Sequence, residues 1–164
     1  MKDGLTVAVV PGSFDPITLG HLDIIKRAAQ MYDTVYVAVM INDQKTYLFG
    51  IDERESIARE AVKELPNVYV ISSTGMLWKL AKDLSADAIV KGYRNMTDYD
   101  YEMKMAEYNT AHNPASPTVL LEANKDLEDI SSTAVRNMLS EGKSLKKYLP
   151  EDVERLIHKI LSTR

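Results

Sequence analysis

The chain has 164 residues, 45% hydrophobic and 27% charged, the length and mix of one ordinary globular domain rather than a disordered chain. Its 20 Lys+Arg against 24 Asp+Glu give a net charge of −4, which disfavours a nucleic-acid partner, since such proteins meet phosphate backbones with a basic surplus. With no cysteine, a disulfide framework, a thiolate metal site and a cysteine nucleophile are excluded.

Residues 5–10 (LTVAVV) read as a buried first strand, and Leu19–Met31 as a helix with Leu22, Ile25, Ala28 and Ala29 on one face. Residues 34–41 (TVYVAVMI) are a second strand, and 52–65 a second helix with Ile57, Ala58, Ala61 and Leu65 inward. Residues 68–72 and 76–84 make a third strand–helix pair. A short fourth strand at 88–90 precedes a helix at 99–112 rich in tyrosine and methionine. Thr118–Glu122 is a fifth strand, followed by helices near 132–141 and 151–161, with Gly142 placed to stop the first of these.

This alternation predicts βαβ units on a parallel sheet. Apolar runs without polar alternation, such as VAVV, predict helices on both faces. No linker, repeat or low-complexity tract divides residues 1–164, so the expectation is a single domain: a Rossmann-like α/β fold, doubly wound, with a five-stranded parallel sheet in the order 3-2-1-4-5. The start, Met1-Lys2-Asp3-Gly4-Leu5, shows no cleavable signal pattern. No apolar run approaches the ~20 residues that span a bilayer, and a cytoplasmic protein with no membrane partner is expected.

In such sheets ligands sit beyond the carboxyl ends of the strands where the order reverses, here between strands one and four. The segment after strand one, residues 11–21 (PGSFDPITLGH), is a rigid turn that delivers Thr18 and His21 to a helix start. Unpaired N–H groups and the helix dipole suit that place to phosphate. Neither G-x-x-x-x-G-K-[ST] nor G-x-G-x-x-G occurs, which counts against a P-loop kinase and a nicotinamide dehydrogenase. After strand four comes Lys91-Gly92-Tyr93-Arg94, after strand five Asp129-Ile130-Ser131-Ser132-Thr133-Ala134-Val135-Arg136, and after strand two Lys45. Cations and hydroxyls gathered on one rim of an acidic protein point to an anionic small molecule. The hydroxyls of Ser131, Ser132 and Thr133 are also ordinary helix caps.

These segments, GSFDPITLGH, the Lys91–Arg94 run leading through DYDYE to Glu102, and ISSTAVR, resemble the nucleotidylyltransferase superfamily with its (H/T)-x-G-H and I-S-S-T motifs. Over essentially the whole chain the resemblance is to the bacterial phosphopantetheine adenylyltransferases. It implies transfer of the adenylyl group of ATP to 4′-phosphopantetheine by direct in-line attack, giving dephospho-coenzyme A and pyrophosphate. It implies His21, Lys45 and Arg94 as catalytic residues, with His21 on the α-phosphate. ATP would meet Ser13, Phe14, His21, Gly92, Tyr93, Arg94 and Glu102, and its adenine end and phosphates Leu127, Glu128, Asp129, Ile130, Ser131, Ser132 and Thr133. The second substrate would meet Ser13, Lys45, Leu77 and Lys91. Thr18, in the place of the superfamily's first histidine, would be a weaker phosphate ligand.

The resemblance also implies Mg²⁺ carried mainly by the ATP phosphates, a homohexamer, and coenzyme A as a feedback inhibitor. Relatives commonly have Arg at Lys91 and Leu at Tyr93. A lysine offers phosphate a point charge instead of a planar fork, so Lys91 predicts looser geometry. His21, His112 and His158 have no metal-ligand spacing, and no protein metal site is expected. Tyr99, Tyr101, Met105 and Tyr108 fit either core or a subunit contact. The competing readings are transfer to nicotinate mononucleotide or glycerol 3-phosphate, and a silent nucleotide-binding module. The 12–15 and 98–102 segments argue against the rival acceptors, and an intact His21, Lys45 and Arg94 against the silent module.

Overall fold

Strand and helix alternate along the computed structural model, which describes residues 4–164. The reading of a missing signal at Met1-Lys2-Asp3 therefore lies outside the described residues. The elements are β1 (Val7–Gly12), α1 (Leu19–Met31), β2 (Thr34–Met40), α2 (Ile51–Val62), β3 (Val68–Ser73), α3 (Leu77–Asp83), β4 (Ala88–Tyr93), α4 (Met96–His112), β5 (Thr118–Glu122), α5 (Ser132–Ser140) and α6 (Glu151–Ser162), with one 3-10 turn at Lys125–Leu127. All strand pairs are parallel, in the order β3-β2-β1-β4-β5.

Side chains alternate across the sheet, and both sides are covered. Ala8 and Val10 of β1, with Val35, Val37 and Val39 of β2, join the larger apolar layer under α1, α2, α5 and α6. Val9, Ala38 and Ile89 face the other way into a smaller layer with Leu77, Leu80 and Ala81 of α3. That double covering is why the strands read as unbroken apolar runs. Each fully buried Ile or Val in these layers contributes about 1.5–3 kcal/mol. On α1, Leu22, Ile25 and Ala28 are buried as read, with Ile24 added, and Ala29 packs at the margin. On and after α2, Ile57 and Ala58 are buried, while Ala61 and Leu65 are only partly so.

Several boundaries differ from the sequence reading. The first strand begins at Val7, and Leu5 is 64% exposed. The fourth strand does not stop at Val90: Lys91, Gly92 and Tyr93 pair with Leu120, Leu121 and Glu122 of β5. A cation and a glycine hide that strand from a periodicity reading, whereas the β5 ladder supplies its hydrogen bonds. Gly92 also lets α1 approach β4, since a Cβ there would stand 2.9 Å from Ile24 Cγ1. Helix α4 starts three residues earlier than 99, at Met96, because the Asn95 side chain caps it by accepting from Asp98 N at 2.9 Å.

The register shows where the sheet opens. Pairing of β1 with β4 covers only Ala8↔Ala88 and Val9↔Ile89. Yet β1 continues with β2 as far as Gly12↔Val39, and β4 continues with β5 as far as Tyr93↔Glu122. The two central strands part beyond Val9 and Ile89, leaving a wedge at the carboxyl end of the sheet.

Candidate active site

A cavity of about 580 Å³ fills that wedge, lined among others by Ser13, Phe14, His21, Lys45 and Leu77 from one side and Lys91, Gly92, Tyr93, Arg94 and Glu102 from the other. This is the size range of small-molecule sites. Of the segment after β5, Leu127, Ile130, Ser131 and Ser132 line it. Glu128, Asp129 and Thr133 are exposed beside it and do not line it.

The turn after β1 is fixed from within. Phe14 sits at φ 49° and is 2% exposed, with its ring edge-on to His21 at 5.0 Å. The Thr18–His21 capping box then starts α1. Thr18 N donates to His21 Nδ1 at 3.0 Å, and the Thr18 hydroxyl lies 3.1 Å from the same nitrogen. A backbone N–H can only donate, so Nδ1 is an acceptor and the ring proton sits on Nε2. Thr18, 1% exposed, is thus engaged in holding the histidine.

Burial, and secondarily the positive charge of Arg94, pushes the His21 pKa down to about 4. Near neutrality the ring is uncharged and presents a single donor, Nε2–H. The folded chain refuses a proton that the unfolded chain accepts near 6.5, so His21 costs the fold stability as pH falls from about 6.5 to about 4. In an NMR titration of the ligand-free chain, the His21 ring should titrate near pH 4. Arg94→Gln should raise that midpoint only part of the way, because burial is the larger cause. A wild-type midpoint at the ordinary histidine value would contradict this environment.

The cations differ in how they are held. Lys91 Nζ stands 2.6 Å from Glu102 Oε2, both half-buried. Arg94 Nε donates to Asp98 Oδ2 at 2.9 Å, and Arg94 N to the same oxygen at 3.1 Å. The Arg94 hydrogen bond holds the Asp98 carboxyl below its usual range. Helix α4 therefore supplies a carboxylate to each cation of the β4 segment. Lys45 is exposed, with its Nζ 3.5 Å from Ser13 Oγ. At the start of α5, Ser131 caps the helix by accepting from Ala134 N, Ser132 Oγ donates to Pro16 O at 2.8 Å, and Thr133 Oγ1 accepts from Arg136 Nη2. Capping and cavity lining coexist there.

Three residues without an assigned role in the sequence reading hold this framework. Asp15, 3% exposed, accepts from Leu48 N and Phe49 N at 2.9 Å each. Arg136 Nη1 donates to Asp15 O at 2.8 Å. Arg54, 2% exposed, reaches three backbone carbonyls from α2. Its signal was its place three and four residues before Ile57 and Ala58, on the buried stripe of the helix. Among the described residues, no group of three or more His, Asp or Glu side chains could hold a metal ion, and no helix is long and apolar enough to cross a membrane.

Residues 9–138 match the cytidylyltransferase-like family. The chain is 42% identical over 156 residues to the phosphopantetheine adenylyltransferase of Caldanaerobacter subterraneus subsp. tengcongensis, covering 94% of this chain and 98% of that protein. It is 40% identical over 149 residues to the enzyme of the same name from Clostridium tetani (91% and 93% covered). With that of Limosilactobacillus reuteri it shares 39% over 160 residues (98% and 92% covered). In fold it is similar to the crystal structure of a provisionally assigned nicotinate-nucleotide adenylyltransferase from Vibrio parahaemolyticus, with a TM-score of 0.66, 20% identity, and 93% and 99% of the two chains covered. At that identity the likeness concerns the fold alone.

Proposed function

The chain belongs to the cytidylyltransferase-like family and groups within it with the phosphopantetheine adenylyltransferases, and from that premise we propose that its crevice joins ATP to 4′-phosphopantetheine, releasing pyrophosphate and forming dephospho-coenzyme A. The observation that carries this reading at the site is the wedge beyond Val9 and Ile89, lined by one neutral imidazole donor at the start of α1 and three cations, Lys45 from the loop after β2 and Lys91 and Arg94 from the β4 segment.

A phosphate oxygen of phosphopantetheine attacks the α-phosphorus of ATP in line. One P–O bond forms as the bond to the β-phosphate oxygen breaks, and pyrophosphate leaves with that electron pair. Direct attack requires no nucleophile from the protein, and catalysis comes from positioning two anions and stabilising developing charge. His21 Nε2–H donates to a non-bridging oxygen of the α-phosphate. Lys45, with Ser13 beside it, grips the incoming phosphate, and Arg94 meets the ATP phosphates. Lys91 takes part in holding the second substrate, which requires it to share or leave Glu102, and Leu77 at the start of α3 lines the pantetheine arm. Gly92, Tyr93, Glu102 and, from the 127–133 segment, Leu127, Ile130, Ser131 and Ser132 surround the nucleotide.

A magnesium ion fits this donor set only as a companion of the nucleotide. The carboxylates lining the cavity, Asp98 and Glu102, are committed to Arg94 and Lys91, so the ion would be held by ATP oxygens and water. It would supply neutralisation of the β- and γ-phosphate charge. The reading extends to a homohexamer, to coenzyme A as a feedback inhibitor and to the cytoplasm. Exposed Met96, Tyr101, Met103 and Tyr108 on α4 support a contact between subunits. Coenzyme A shares the pantetheine arm and adenine of the two substrates and would compete for the same crevice.

Pyrophosphate release from ATP tests the reaction, with 4′-phosphopantetheine, nicotinate mononucleotide and glycerol 3-phosphate offered in parallel. Release with the first alone is expected. Release with either rival and none with phosphopantetheine would replace the proposed acceptor.

A further inference from the structure

Arg54 is charged, buried and outside the cavity. It is 2% exposed and does not line the crevice. A buried guanidinium is costly unless its donors are satisfied, and here the donors converge on three different segments. Nε donates to Phe49 O at 3.1 Å, and Nη1 donates to Ser13 O at 2.9 Å and to Met40 O at 3.3 Å. The Tyr47 ring lies across the guanidinium, 3.8 Å from Cζ. One side chain thus ties together the turn after β1, the end of β2 and the loop that follows β2.

That loop carries Lys45. Its tip is closed by its own bonds, Lys45 N to Asn42 O at 3.0 Å and Asn42 N to Tyr47 Oη at 3.0 Å. Its far end is fastened by Asp15, through Leu48 N and Phe49 N, and Arg54 holds both ends, through Phe49 O and Met40 O. The Lys45 ammonium is exposed and flexible in itself, so its place opposite Ser13 Oγ, 3.5 Å away, depends on how its loop is anchored to the Ser13 turn. Arg54 spans that gap directly, from the carbonyl of Ser13 to the carbonyl of Phe49.

We infer that Arg54 is a positioning residue for the phosphate acceptor: its guanidinium sets the spacing between Ser13 and Lys45, the two residues that grip the incoming phosphate. The inference rests on the proposed reading of that grip. A planar fork is required, because two of its nitrogens address carbonyls in different directions. A lysine would keep the charge and lose the geometry.

The test is a double-mutant cycle of Arg54→Lys with Lys45→Ala, read by steady-state kinetics on whichever of the three phosphate acceptors the wild-type chain uses. A wrong acceptor then counts against the functional reading and leaves the test of Arg54 intact. Arg54→Lys alone should lower kcat/KM for the acceptor about tenfold or more, as misplacement by a fraction of an ångström does, with KM for ATP nearly unchanged. In the Lys45→Ala background the same substitution should cost less than about threefold, because residues that act through one another are not additive. A merely structural arginine predicts the opposite: equal losses in both backgrounds, falling on both substrates. Equal losses would overturn the inference. If Arg54→Lys does not fold, Tyr47→Leu takes its place in the cycle with the same two outcomes, read against Tyr47→Phe, which loses the hydroxyl bonded to Asn42 N and keeps the ring on the guanidinium.

Discussion

A His21→Ala chain is expected to fold, bind ATP and turn over at least ~100-fold more slowly than the wild type. The size follows from how the ring is held. Thr18 N occupies Nδ1, so the ring cannot flip its tautomer without losing that bond, and Nε2–H stays aimed as a donor. Burial and Arg94 keep the ring neutral, so it acts by hydrogen bonding, not as a proton source. Removing one such preorganised donor typically costs ~10²–10³-fold in kcat, about 3–4 kcal/mol. A contact made mainly in the transition state lowers kcat and kcat/KM together and spares ground-state binding. Stability falls as well, because Thr18 N is left without its partner at a residue 1% exposed. A buried unpaired donor costs about 1–3 kcal/mol, or several degrees in Tm for a chain of this size. The two losses separate cleanly in a thermal melt beside steady-state kinetics. A folded variant retaining more than about a tenth of wild-type kcat would sink the role given to His21.

What the sequence disclosed and what it hid follow one physical line. The sheet and its order were legible because both faces are covered, which leaves runs such as VAVV and TVYVAVM without polar interruptions. The crevice followed from that order alone, and His21, Lys45, Lys91 and Arg94 do line it. The end of β4 was not legible, since Lys91, Gly92 and Tyr93 are held in a strand by bonds to β5, 29 residues away in the chain. Nor were the ion pairs of α4: Arg94 and Asp98 are four residues apart and could have been paired by spacing, but Lys91 meets Glu102 only because α4 packs over β4. Arg54 and Asp15 escaped for a further reason. A charged residue on a helix or in a turn is usually solvated, and only three dimensions show that these two spend their charge on backbone groups of neighbouring loops.

Those pairings also decide which cation should matter most to the acceptor. Lys91 and Arg94 each face a carboxylate of α4, so a phosphate arriving at either must share or displace that partner. Among the described residues, the Lys45 ammonium faces only the Ser13 hydroxyl, at 3.5 Å. Its charge is available to an incoming phosphate without breaking an ion pair. A hydrogen bond to a charged group contributes about 1.5–3 kcal/mol, and a nucleophile held out of line loses about a further 10²-fold. Lys45→Ala should therefore lower kcat/KM for phosphopantetheine by about 10²-fold or more, with the Kd for ATP almost unaffected. Lys45 is exposed, so Tm should stay at the wild-type value, substitutions at such sites costing within about 0.5 kcal/mol. Lys45→Arg, which keeps a cation on a long stem, should recover part of the loss. Kinetics with each substrate varied in turn, beside direct ATP titration, check every part of this. An ATP affinity that collapses while turnover of phosphopantetheine survives would move Lys45 to the nucleotide and leave the acceptor phosphate to Lys91.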